Sequence, residues 1–291
     1  MTTVNLSNPR RFSLKFTEEQ LILPLAGFLI AFYIMPLIVL LARSFQAQPN
    51  TASFSVEQYL RFFQDPVNLD IWRYSLSLGF WCTLICLLLG YPLAYIYIRA
   101  ENRWQTILTF LIMLPLLTSI VVRTFAWIVI LGREGLINSF LRAIGMIDQP
   151  LSLLFTHTGV VIALSQIMLP FMVLPLTAAM IRVDMRLMDA SISLGAGAWR
   201  TFLWVFVPLT LPGIISGCLL VFAISISAFV TPSIIGGGRV LYMPNIIYQQ
   251  SILLLDWNFA AAISVVLLVT VIAVVIGLSV LNRISRSYVH S

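Results

Sequence analysis

The chain has 291 residues, of which 60% are apolar and 10% charged, and its mean hydropathy is +0.98. A water-soluble domain carries ~45–50% apolar and ~25% charged residues, so a soluble enzyme or binding module is excluded and a membrane protein is indicated. The net charge of +6 comes from basic residues scattered along the chain, without the one-sided cluster that nucleic-acid binding requires.

Crossing the hydrocarbon takes ~20 apolar residues per helix. Uncharged or nearly uncharged apolar runs at 21–42, 75–98, 106–131, 159–181, 203–235 and 258–281 predict six transmembrane helices in a single membrane domain over 1–291. The first run is too long for a signal-peptide core and no small-residue cleavage site follows it before Arg43, so it is expected to stay as an anchor. Placing residues 1–20 in the cytoplasm puts ten basic residues inside (Arg10, Arg11, Lys15, Arg99, Arg103, Arg182, Arg186, Arg200, Arg283 and Arg286). The outer loops then hold six (Arg43, Arg61, Arg73, Arg133, Arg142 and Arg239), matched by six acids. Positive-inside bias therefore predicts both termini in the cytoplasm.

Between the first two spans, Ser55 and Gln58 have capping-box spacing ahead of apolar residues at helical intervals, which predicts a short amphipathic outer helix. A second is expected over 135–144, closed by Gly145. Packing elements and docking sites for an external partner are equally open readings of both. Cys82, Cys86 and Cys218 lie inside apolar runs without metal-site spacing, so they read as small buried side chains and no metal site is expected. His157 stands beside Thr156 and Thr158 at the head of the fourth span and is expected to be a hydrogen-bonded interfacial residue.

Several absences narrow the function. Lys15 is the only lysine and lies outside any phosphate-loop setting, so this chain cannot hydrolyse ATP by that route. His157 and His290 are too far apart in sequence for H-E-x-x-H, and G-x-S-x-G is missing. Ion-driven carriers usually place acids or histidines within their spans, whereas here every carboxylate falls in a loop or at a predicted helix end. One cation, Arg123, lies inside the third span; at ~2.5–3.5 kcal/mol for the bilayer centre it must face an interior partner or a wet cavity. Whether it orders helices or touches cargo stays open.

The most polar stretch between predicted spans on the cytoplasmic side is 182–202. Residues 184–194 can form about three helical turns, with Leu187, Ala190, Ser191 and Leu194 near one face and Arg186 with Asp189 on another. Gly195 then permits a left-handed stop before a second short helix. Such a helix–glycine–helix is either an ordinary interfacial linker or a shape for a cytosolic partner to grip.

The pattern Asp189-Ala190-Ser191, Leu194-Gly195-Ala196, Phe202, Val205, Pro208 and Pro212-Gly213 resembles the EAA loop of the permease subunits of binding-protein-dependent ABC importers. That family normally has Glu and Ala where this chain has Asp189 and Ser191. The resemblance runs over most of the chain, through 55–63, 114–138 and 212–237, and is similar to the spermidine/putrescine branch, which also includes importers of other small solutes. It implies an all-α membrane protein with the type I ABC importer permease fold. It also implies a cytoplasmic coupling helix in which Arg186, Asp189, Ala190, Ser191, Leu194, Gly195 and Ala196 meet the ATP-binding subunit.

The implied partners are two ATP-binding subunits that hold ATP and Mg, a second permease subunit, a periplasmic solute-binding protein and the bilayer of a bacterial inner membrane. This chain itself is expected to be a transport subunit with no cofactor. Candidates for the translocation path are Arg123, Phe125, Trp127, Phe222 and Phe229. Trp127 reads equally as a packing residue, and Pro92, Pro115, Pro170, Pro175, Pro208, Pro212 and Pro232 read as kinks. A self-sufficient ion-coupled carrier is the rival reading, distinguished by transport without nucleotide.

Overall fold

The computed structural model describes residues 18–46 and 54–289, with side chains described for 24–46 and 54–280. Arg10, Arg11, Lys15 and His290 lie outside the described residues.

Helix α1 (Glu18–Leu29) passes through a π turn at Ile30–Ile34 into α2 (Met35–Ser44). The amphipathic helix α3 (Glu57–Gln64) leads into the long α4 (Pro66–Arg99), followed by α5 (Asn102–Leu117), α6 (Ile120–Leu131) and α7 (Leu136–Ala143). Next come α8 (His157–Met180), α9 (Arg186–Ser193) and α10 (Ala198–Thr201), the last continuing through a π turn at Phe202–Phe206 into α11 (Val207–Ile226). The chain ends with α12 (Val230–Gly236), α13 (Met243–Tyr248) and α14 (Trp257–Val289). Among the described residues, five helices are long and apolar enough to cross a membrane, and six if the bent pair α5 and α6–α7 counts as one span.

Helices α4, α8 and α11 form the core. Lipid tails are as apolar as leucine, so helices in a bilayer are held by close packing and hydrogen bonds, which favours small residues at their contacts. Met172 of α8, fully buried, sits between two such residues: a Cβ at Gly90 of α4 would lie 3.0 Å from its Cγ, and one at Gly217 of α11 would lie 2.6 Å from its Sδ. Phe222 of α11 packs into the notch over Gly79 of α4, where a Cβ would come 2.8 Å from the ring. Gly213 brings α11 against α8, 2.9 Å from its would-be Cβ to the Pro175 carbonyl oxygen. Cys82 and Cys86 are buried in the same core and their thiols point at the Val161 and Ser165 carbonyls of α8.

A second apolar cluster joins Phe62 of α3, Ile71 of α4, Met243 and Ile246 of α13, and Phe259 and Ile263 of α14. Ser75 ties it to the core, its hydroxyl donating to the Ile71 carbonyl and accepting from the Met243 N–H at 2.8 Å. His157 also acts as a staple, hydrogen-bonding Ser77 of α4 at 3.1 Å through Nε2 and the buried Tyr242 hydroxyl at 3.0 Å through Nδ1.

Four expectations need correction. The third apolar run is two helices meeting at a 99° bend. Pro115 lacks an N–H to continue the ladder, and the Thr118 N–H and hydroxyl both fold back onto the Pro115 carbonyl at 3.4 and 3.0 Å. The fifth run stops at Ile226; the Ser227 hydroxyl donates to the Ala223 carbonyl at 2.7 Å, and a separate α12 begins at Val230 with Pro232 in its first turn, where a missing N–H costs nothing. Helix α13, with Pro244 near its start, lies in a stretch read as loop. The Ser55 hydroxyl accepts from the Glu57 N–H at 3.1 Å, so α3 is entered by a tight serine turn instead of the expected capping box.

Candidate functional site

Helix α9 begins where the Asp184 carboxylate accepts the Arg186 N–H at 3.0 Å, satisfying one of the donors that a helix start leaves unpaired. It ends at Gly195, whose φ is +89°. The Gly195 N–H donates to the Ile192 carbonyl at 2.9 Å and the Ala196 N–H to the Ser191 carbonyl at 3.1 Å, the paired bonds of a Schellman motif. Nothing lies within 4 Å of the position a Gly195 Cβ would take, so glycine is required here by backbone conformation and not by crowding. The chain then turns back into α10.

Only Met188 of α9 is buried. Leu187, Ile192 and Leu194 are exposed, Leu194 at 89%, as is Trp199 at 74%. Arg186, Asp189 and Ala190 are exposed as well, while Ser191 and Ala196 are partly covered. Leu187, Ala190 and Leu194 fall on one side of α9 and form an exposed apolar ridge edged by Arg186. Ser191 faces inward and shares a hydrogen bond of 3.0 Å with the buried Thr201 hydroxyl.

Behind α9, the π turn Phe202–Phe206 carries the link into the membrane. The Val207 N–H bonds the Phe202 carbonyl, one residue beyond the α-helical register, just ahead of Pro208, which has no N–H to offer. Trp199, Phe202 and Phe206 stack in series at 5.9 and 5.8 Å between ring centres, and Tyr95 of α4 meets both phenylalanines edge-on at 5.4 and 5.3 Å. Arg99 lies 4.8 Å over the Tyr95 ring, and Tyr91 bonds the Thr210 hydroxyl at 3.0 Å. The sequence signal of this aromatic ladder from α10 to α4 is the pair of i, i+4 spacings Tyr91/Tyr95 and Phe202/Phe206, which apolar-run patterning does not distinguish from ordinary span residues.

The candidate path residues differ in exposure and partners. Phe222 is buried between α4 and α11, a packing position and not an open one. The Trp127 indole N–H donates to Gln166 of α8 at 3.3 Å, Phe229 packs on Tyr248 at 4.9 Å between ring centres, and Phe125 is 56% exposed. Arg123 directs Nη2 to the Thr118 carbonyl at 3.4 Å, at the break between α5 and α6, and its Nε and Nη1 are buried without a partner among the described residues. Among the described residues, no group of three or more histidines, cysteines and acids could hold a metal.

These features define a membrane protein, a bundle of apolar helices with a short exposed helix outside it that ends on a left-handed glycine. Residues 63–286 match the model of the family described as binding-protein-dependent transport system inner membrane component. The chain is 34% identical over 265 residues to the spermidine/putrescine transport system permease protein PotB of Escherichia coli (strain K12), covering 90% of this chain and 94% of that protein. Its fold is similar to the crystal structure of a bacterial ABC transporter involved in the import of the acidic polysaccharide alginate, with a TM-score of 0.73 at 17% identity over 92% of this chain and 94% of that one. A second structure of the bacterial alginate ABC transporter, in complex with alginate pentasaccharide-bound periplasmic protein, matches over the same shares with a TM-score of 0.69 at 17% identity. The chain therefore belongs to the binding-protein-dependent inner membrane component family: it is a multi-pass inner-membrane permease subunit of an ABC importer, with the type I permease fold.

Proposed function

We propose that this permease carries a polyamine of the spermidine or putrescine type, delivered from outside by a periplasmic binding protein. The observation that supports this reading most directly is the 34% identity across nine-tenths of the chain to a spermidine/putrescine permease. The chain pairs with a second permease subunit, and two ATP-binding subunits below them hold ATP and Mg and carry out hydrolysis. Both termini lie in the cytoplasm, which places α9 on the ATPase side. Closure of the ATPases on ATP pulls the ridge of Leu187, Ala190 and Leu194 through contacts flanked by Arg186 and Asp189. The Ser191–Thr201 bond and the aromatic ladder then pass the displacement to α4 and α11.

A polyamine crossing the bundle needs partners for its ammonium groups, from acids or aromatic faces. This subunit offers Phe125, Trp127 and Phe229 but no acid in its apolar spans, so it provides a path of low affinity and selection rests mainly with the external binding protein. Reconstituted with its partners in vesicles, the complex is expected to accumulate labelled putrescine or spermidine only with ATP inside and binding protein outside. Uptake of another small solute with polyamine excluded would refute the substrate, and uptake without nucleotide would refute the class.

A further inference from the structure

Between the first and last helices runs an apolar groove of about 740 Å³, bounded along α1–α2 by Ala31, Pro36 and Arg43 and along α14 by Trp257, Ala261 and Ser264. The small side chains on α14 make it deep, and Pro36, which has no N–H, follows the π turn Ile30–Ile34 that widens the opposite wall. From Ala31 to Arg43 it extends ~18 Å at 1.5 Å per residue. Its wall is apolar along this length apart from Arg43, Ser251 and Ser264, a lining on which extended hydrocarbon chains can lie.

The mouth of the groove differs from its wall. Arg43 is exposed and its guanidinium has no hydrogen-bond or ion-pair partner among the described residues, while the adjacent Ser44 hydroxyl fixes the helix end by bonding Tyr59 at 2.7 Å and the Leu41 carbonyl. Phe45, Phe54 and Tyr59 stack beside it at 4.6 and 5.2 Å, and Trp257, 57% exposed, stands on the facing helix. Aromatic rings gathered at one depth mark the headgroup level of a bilayer, and a free guanidinium there offers paired donors suited to phosphate. We propose that this groove is a binding site for an anionic phospholipid, with its acyl chains along α2 and α14 and its phosphate on Arg43.

The assembled transporter, carrying wild-type, Arg43→Gln, Ala261→Leu or Arg73→Gln permease, is placed in nanodiscs of equal phosphatidylglycerol and phosphatidylcholine, re-extracted, and its retained lipids counted by native mass spectrometry. Wild type and Arg73→Gln, a cation already paired with Asp70, are expected to retain phosphatidylglycerol preferentially. Arg43→Gln is expected to lower that retention about fivefold, and Ala261→Leu, which fills the groove, to lower retention of both lipids. Excess inorganic phosphate should displace nothing, because the acyl chains hold the ligand. Unchanged phosphatidylglycerol retention in both groove variants, displacement by phosphate alone, or a helix of the second permease seated in the groove would each overturn the assignment.

Discussion

At the scale of single residues, glycine serves this protein in two separable ways, and each gives a distinct mutational signature. At Gly195 the backbone sits at φ +89° with open space where a Cβ would go, so the demand is conformational. A β-branched residue there faces ~1–2 kcal/mol against the left-handed region, whereas asparagine tolerates it. Gly195→Val is expected to insert normally and lose most uptake, while Gly195→Asn keeps most of it; measuring labelled-solute uptake beside membrane abundance separates the two, and equal loss in both variants would contradict the account. At Gly217 the demand is steric, since a Cβ meets Met172. Gly217→Val should lower thermal stability by about 1–3 kcal/mol as an overpacked core contact, read as an earlier unfolding transition in detergent. The companion substitution Met172→Ala should return part of that loss.

Helix α9 and the π turn behind it can be told apart by what each mutation leaves intact. Leu194 is 89% exposed, so Leu194→Ala should change stability by less than about 0.5 kcal/mol; the coupling role predicts that ATP-driven uptake nevertheless falls. Phe206 is fully buried under Tyr95, so Phe206→Ala should cost roughly 3–5 kcal/mol in a melting experiment and lose uptake through the fold itself. A Leu194→Ala protein with full uptake would remove α9 from force transmission.

The same elements show what the sequence discloses and what it hides. Residues 184–194 announce their helix and its stop because charge spacing and Gly195 are local signals, and the two hydrogen bonds of the Schellman motif realise them. Helix α4 starts nine residues before the predicted span: Asp65-Pro66 is a visible N-cap and N1 pair, with the Asp65 carboxylate accepting the Val67 N–H at 2.9 Å, but a hydropathy criterion ignores polar first turns. The breaks at Thr118–Ser119 and Ser227–Phe229 are hidden for the opposite reason, since both lie inside apolar runs whose hydropathy does not register a change of direction. Pro115 was the available clue. The candidate path could not be read from sequence because lining depends on which face of a helix is left uncovered, as buried Phe222 and exposed Phe125 illustrate.

For the whole molecule, the central claim is that a bundle without a nucleotide site of its own is driven through the short bent segment 189–196. The most direct measurement replaces Leu194 with cysteine in the assembled complex and, one position at a time, places a second cysteine along the facing groove of the ATP-binding subunit. The described native cysteines lie in the membrane core, with Cys82 and Cys86 buried and Cys218 half-buried, and so give little background. The account predicts a disulfide between Leu194→Cys and that groove, and ATP-driven uptake that stops when it forms and returns on reduction. A complex that transports normally while no position on the ATP-binding subunit reaches residue 194 would contradict it.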